Sequence, residues 1–215
     1  MTAIIEEISQ AIQTGKMKLI KELVPQAIEE GNTAQEILNN GLLAGMNVIG
    51  DRFTRNEAFV PEVLVAARAM NKGVELIKPL LLEEGNLPIG KACIGTVQGD
   101  LHDIGKNIVK LMLESKNIEV IDLGVDVAPE TFVQTAKDEK CDIVCCSALL
   151  TTTMPMMAKV VDALKEAGIR EQVTMMVGGA PITQEFCDQI GADIYTEDGA
   201  SAANAAEKVL KAKIA

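Results

Sequence analysis

The chain has 215 residues, enough for one large or two small domains that each bury a core. Its 48% hydrophobic and 24% charged content is ordinary for a globular protein, and no apolar run reaches the roughly 18 residues of a membrane helix. Twenty basic residues against 31 acidic ones leave a net charge of −11, which argues against nucleic-acid binding.

The acidity serves either solubility or a basic partner protein, and charge alone does not choose between them. Aromatics are only 2%, with no Trp, so the core rests on Ile, Leu, Val, Ala and ten Met. The acidic N-terminus, Met1 to Glu7, does not read as a signal peptide. Five cysteines, an odd number lying mostly in apolar runs, fit reduced thiols in a cytoplasm better than a disulfide framework.

Residues 1 to about 84 read as helices. Ile4, Ile5, Ile8 and Ile12 form the first apolar stripe. A second helix carries Met17 through Ile28, with Pro25 as a kink or restart point. Thr33 and Glu36 have capping-box spacing ahead of a third helix marked by Ile37, Leu38, Leu42, Met46, Ile49 and Phe53. Pro61 suits the first turn of a fourth helix running through Leu76, and Pro79 should bend or weaken its last turns. Short connections between four helices predict a small bundle. Glu83 to Pro88 is polar, then Gly- and Pro-containing, and reads as a linker; this divides the chain into domains 1–88 and 89–215.

From residue 90 the pattern alternates. Strand runs fall at 91–97, 118–123, 142–148, 173–177 and 193–196. Helical stretches lie at about 104–116, 129–139, 155–167, 182–190 and 199–213. This alternation predicts an α/β domain with a flavodoxin-like (Rossmann-type) five-stranded parallel sheet of order 2-1-3-4-5. Ligands in such sheets bind at the strands' C-terminal ends, between the first and third strands. The loop after strand one holds His102, the only histidine of the chain. Strand three ends in Ser147 and Thr151 to Thr153, and strand four in Gly178 and Gly179. All should meet on one edge.

Histidine ligates a transition metal through one ring nitrogen, and an acceptor such as Asp100 on the other fixes its orientation. One His and one Asp cannot enclose a protein-only zinc site. A single imidazole donor suits a metal already held by a macrocycle. The plainer reading makes His102 a surface residue, Asp103 a helix N-cap, the hydroxyls caps and the glycines a turn.

Asp100 to Gly105 reads D-x-H-x-x-G. With Ser147-x-Leu149 and Gly178-Gly179, this resembles the signature of cobalamin-binding domains. The helical half resembles the cap of methylcobalamin-binding modules such as that of methionine synthase, above all at Gly45 to Gly50 and Phe59 to Leu64. The nearest likeness is to corrinoid proteins of methanogen and acetogen methyltransferase systems, which act on methylamines, betaines, methanol or aryl methyl ethers.

The resemblance implies a four-helix-bundle cap on the α/β domain and a corrinoid bound base-off/His-on. His102 would be the lower axial ligand of cobalt, with Asp100 on its other nitrogen. Thr153, where the family often carries serine, would back up Asp100 and complete the catalytic relay. The loop residues Gly99, Leu101, Asp103, Ile104 and Gly105 would line the cofactor. Its displaced nucleotide tail would lie along Ser147, Leu149, Thr151, Gly178, Gly179 and Gly199, and Phe59 would shield the upper face.

The resemblance further implies a carrier of methyl groups in one-carbon metabolism. One partner would be a substrate-specific methyltransferase. A second methyltransferase would use tetrahydrofolate or coenzyme M as acceptor, and a reductive activation protein is a further possible partner. Neither nucleic acid nor membrane is expected. The alternatives are a radical-mutase subunit, a cobalamin sensor, and a receiver-like interaction domain without cofactor.

Overall fold

The computed structural model describes residues 2–83 and 88–214, in two units, Met1–Pro88 and Ile89–Ala215. Most of the expected linker, residues 84–87, lies outside the described residues.

The first unit is helical. Helix α1 (Ala3–Gln13) buries Ile4, Ile5, Ile8 and Ile12, and α2 (Met17–Glu29) buries Ile20, Leu23 and Val24. Pro25 neither breaks nor restarts α2, which runs unbroken through it. Thr33 and Glu36 form the capping box at α3 (Ala34–Glu36), where Thr33 Oγ1 accepts from the Glu36 N–H at 3.1 Å. The helix then widens into a π-helical stretch, Ile37–Leu43, before continuing as α4 (Ala44–Thr54).

No residue pattern in 37–43 marks the wider turn. Gly41 and Gly45 explain the close approach to α1: a Cβ on either would crowd Ile8, Ile12 or the Ser9 carbonyl. The long α5 (Val60–Glu83) continues past Pro79 to its end and buries Val63, Ala66, Ala67, Met70 and Ile77. Val74 and Leu76 on the same helix are only half-buried.

The second unit alternates β1 (Gly90–Val97), α6 (Ile104–Glu114), β2 (Ile118–Val127), α7 (Pro129–Asp138), β3 (Ile143–Ser147), α8 (Pro155–Glu166), β4 (Thr174–Gly178), α9 (Gln184–Ile190), β5 (Ile194–Tyr195) and α10 (Gly199–Ile214). All pairings are parallel, in the order β2-β1-β3-β4-β5, as the alternation predicts. Central β1 and β3 are nearly continuous buried runs, whereas edge strand β2 is mostly half-exposed. Phe132 of α7 and Val160, Val161 and Leu164 of α8 join Cys93, Val97, Val144 and Val177 in one core cluster. Alternate strand residues point to opposite faces, so Ile94, Ile143 and Cys145 are buried on the other side. There α6 and α10 pack together through Ile108 and Gly199.

All five cysteines are buried and unpaired, and burial pushes the Cys145 thiol up to about 12. Strand β2 outruns its expected end by four residues, because Gly124, at φ +85°, interrupts the apolar run without ending the pairing.

Three charged side chains are buried among the described residues, Asp100, Lys106 and Arg170. Lys106, on the first turn of α6, pairs with Asp122 of β2, whose other oxygen accepts from Lys110 at 3.3 Å. The Asp122→Ala variant strands the Lys106 ammonium, so urea denaturation should show a loss of about 3 kcal/mol. Adding Lys106→Met should recover most of it, since an apolar side chain needs no partner.

Candidate functional site

Thr96, next to last in β1, is fully buried, and the chain turns beyond the strand at Gly99, where φ is +84°. The Asp100 N–H bonds the Val97 carbonyl at 3.1 Å, which closes the turn. This returns the Asp100 side chain beneath the loop, where it is fully buried. Its Oδ1 accepts from the His102 backbone N–H at 3.1 Å and lies 2.7 Å from His102 Nδ1. The His102 carbonyl accepts from Thr96 Oγ1 at 2.8 Å. The ring, N–H and carbonyl of His102 are thus all held, while its side chain stays 51% exposed.

The other carboxylate oxygen faces the loop after β3. Asp100 Oδ2 accepts from the N–H groups of Leu149 at 2.8 Å and Leu150 at 3.2 Å. Thr153 Oγ1 lies 2.8 Å from Oδ2 and 2.9 Å from the Leu150 carbonyl. Burial alone would raise the Asp100 pKa. Hydrogen bonds from Leu149, His102 and Thr153 outweigh it and hold the carboxyl well below the usual carboxylate range. An ionised carboxylate only accepts, so the network assigns the ring hydrogen to Nδ1; in the neutral ring Nε2 keeps its lone pair. No described protein group hydrogen-bonds to Nε2.

The sheet register lines up the neighbouring residues. Thr96 pairs with Ser147, and Ser147 with Gly178. Gly179, at φ +136°, runs against Ala148, and a Cβ there would land on the Ala148 carbonyl. Leu149 and Thr151 are exposed, Gly105 opens α6 with free space around it, and Gly178 is nearly as open. In this unit the exposed large hydrophobics among the described residues are Leu101, Ile104, Val125, Leu149 and Leu150. They come from the strand ends and following loops of β1, β2 and β3, which places an apolar rim at the histidine's edge of the sheet.

Other expected site residues stand apart. Asp103 occupies the N-cap position of α6, but its side chain caps no backbone N–H and accepts from Asn107 Nδ2 at 3.2 Å. Gly199 is tucked against Ile108 and Met112, so it has a packing role between α10 and α6. Phe59 belongs to the first unit, where it is exposed, and its N–H bonds Glu62 Oε2 at 2.9 Å. Among the described residues no group of three or more His, Cys, Asp or Glu could enclose a metal ion.

Thr96, Leu150 and Asp126 of the site, and Lys106 of the helix that follows its loop, escaped the sequence reading. Thr96 left a signal, a hydroxyl inside an apolar strand run. Lys106 left a weaker one, a charge in a stripe that is otherwise buried. Asp126 left none, because its partner Gly99 is 27 residues away.

Residues 90–207 match the B12 binding domain family, and residues 4–78 match a second B12 binding domain family. The chain is 44% identical to trimethylamine corrinoid protein 2 of Methanosarcina acetivorans, over 97% of each chain. It is also 44% identical to the dimethylamine corrinoid protein of Methanosarcina barkeri, over 98% of this chain and 96% of that one. The fold is similar to the methanol:cobalamin methyltransferase complex of Methanosarcina barkeri, with a TM-score of 0.86 and 32% identity over 97% of this chain and 80% of that one.

Proposed function

The chain belongs to the B12-binding corrinoid proteins, and from that premise we propose that it carries a methyl group between two methyltransferases. One takes the group from a methylated substrate. The other delivers it to an acceptor, tetrahydrofolate or coenzyme M. A reductive activation protein restores the carrier when it is oxidised. Similarity to tri- and dimethylamine corrinoid proteins makes a methylated amine the first donor to test.

The residues fit a corrinoid. A macrocycle that brings its own four equatorial donors needs one further ligand, and the site offers one oriented imidazole. Apolar Leu101, Ile104, Leu149 and Leu150 surround it with exposed surface, and Gly105 and Gly178 leave room for close approach. When bound, the corrinoid supplies a cobalt that accepts and releases a methyl group.

The chain's own part is to hold and tune. His102 Nε2 is the donor, in a base-off/His-on arrangement. Asp100 keeps the ring hydrogen on Nδ1 and raises the basicity of the ligating nitrogen. Thr153 and the Leu149 and Leu150 N–H groups hold Asp100 in turn. Ser147, Leu149, Thr151, Gly178 and Gly179 would line the slot for the displaced tail. Domain 89–215 holds the cofactor. The observation that carries this reading is the 2.7 Å contact between a half-exposed histidine and a buried carboxylate.

The test is reconstitution with cobalamin, desalting, reduction, and addition of a methylated amine with a candidate methyltransferase. Retained red chromophore and a methylamine-dependent change in its absorbance are expected. Loss of the chromophore on desalting, or no response to methylamines, methanol, betaines or aryl methyl ethers, would remove the carrier reading.

A further inference from the structure

We propose that Asp126, at the far end of β2, is a positioning residue for His102. The proposal rests on the ligand reading of His102 given above. Asp126 Oδ1 accepts from the Gly99 N–H at 2.7 Å, and the Asp126 N–H donates to the Asp100 carbonyl at 3.0 Å. These two bonds run in opposite directions and grip the Gly99–Asp100 link from the neighbouring strand. The carboxylate that orients the imidazole hangs from that link. A displacement at Gly99 therefore reaches the ring through a single side chain.

The strand is shaped to make this contact. The β1–β2 register is even from Gly90–Ile118 to Ile94–Asp122, then slips twice, pairing Gly95 with Gly124 and Val97 with Val127. Each slip gives β2 one more residue than β1 across the same span, and such bulges re-aim side chains. Gly124 and Asp126 both take left-handed backbone, at φ +85° and +54°. That conformation is costly for most side chains and is tolerated by Asp and Asn. The detour does not serve the core, because Val125 and Asp126 are exposed and only Val127 returns to buried surface. What it delivers is the bond to Gly99.

Two substitutions separate the carboxylate from the backbone. Asp126→Asn keeps an oxygen acceptor and the left-handed preference. Asp126→Gly keeps the backbone freedom and loses the acceptor. The full-length protein is labelled with 15N-histidine, reconstituted with cobalamin and reduced to cobalt(II). With one histidine in the chain, a two-line nitrogen splitting in the electron paramagnetic resonance spectrum reports His102 alone. Hydrogen exchange at the Gly99 amide is followed in the cofactor-free protein.

Loss of a hydrogen bond to a charged group shifts a local equilibrium by about tenfold or more. Asp126→Gly should lower the ratio of His-ligated to unligated cobalt and speed Gly99 exchange by about that factor. Asp126→Asn, which keeps a neutral acceptor, should lie between wild type and Asp126→Gly in both. If wild type shows the 15N splitting and Asp126→Gly shows it equally, with unchanged exchange, the positioning role is wrong and the ligand reading stands. Equal loss in both variants also overturns it, since the acceptor would then be irrelevant. If wild type shows no 15N splitting, the ligand reading falls and the positioning role falls with it.

Discussion

Replacing His102 with alanine is expected to remove the protein nitrogen from cobalt and leave the cofactor-free fold intact. The imidazole is half exposed, and the bonds that fix the loop at this residue use its backbone N–H and carbonyl, which alanine retains. Alanine also removes the ring's 2.7 Å bond to buried Asp100, a loss of about 1–3 kcal/mol, so the melting temperature of the apoprotein should fall by a few degrees while the fold persists. The functional effect falls on ligation. Altering a group that merely supports a metal ligand costs about 10- to 100-fold in metal affinity, and loss of the ligand itself should cost at least about that. Absorbance and electron paramagnetic resonance spectra of reconstituted wild type and variant are the measurement. Superimposable spectra would eliminate His102 as the ligand.

The second large effect is expected from Asp100→Asn, a change of one atom. Every group facing the carboxylate brings a hydrogen: two N–H groups and a hydroxyl at Oδ2, and one N–H and a ring nitrogen at Oδ1. An asparagine NH2 turned toward Leu149 and Leu150 would oppose two fixed backbone donors. Turned toward His102, it opposes one backbone N–H and meets a ring nitrogen that can accept if its hydrogen moves. The second orientation loses less. It transfers the ring hydrogen to Nε2, the atom needed for cobalt. The variant should therefore fold, bind corrinoid at least about tenfold more weakly, and show little His-ligated cobalt. An unchanged nitrogen splitting would refute this account.

The same substitution carries a pH signature. The folded pKa of Asp100 lies below its ordinary value, so the ionised form stabilises the fold. That contribution is complete above the unfolded carboxylate range near about pH 4 and fades as pH falls toward the folded value. Wild type should lose stability on acidification below about pH 4 more steeply than Asp100→Asn, as denaturant titrations at successive pH values will show.

Much of the molecule was legible in the chain because local patterning forces local structure. The Ile4, Ile5, Ile8 and Ile12 stripe can bury itself only as a helix. The apolar runs around Cys93 and Val144 can lie only in a sheet covered on both sides. Alternation of strand and helix then leaves few topologies, and the order that places His102 at the switch point is among them. Helix α2 runs on through Pro25 and α5 through Pro79, because burial of the apolar face offsets the helical hydrogen bond that each proline removes. The end of β2 was hidden because strand pairing can continue through a bulge.

By itself the sequence determined the elements, the strand order and the loop that carries the lone imidazole, since periodicity and turn chemistry act over a few residues. Tertiary structure alone decided how that imidazole is held. The Leu149, Leu150 and Thr153 donors reach Asp100 across about 50 positions, and Asp126 reaches Gly99 across 27. No short window of sequence contains both partners of such bonds; only the parallel register of β2, β1 and β3 brings them together.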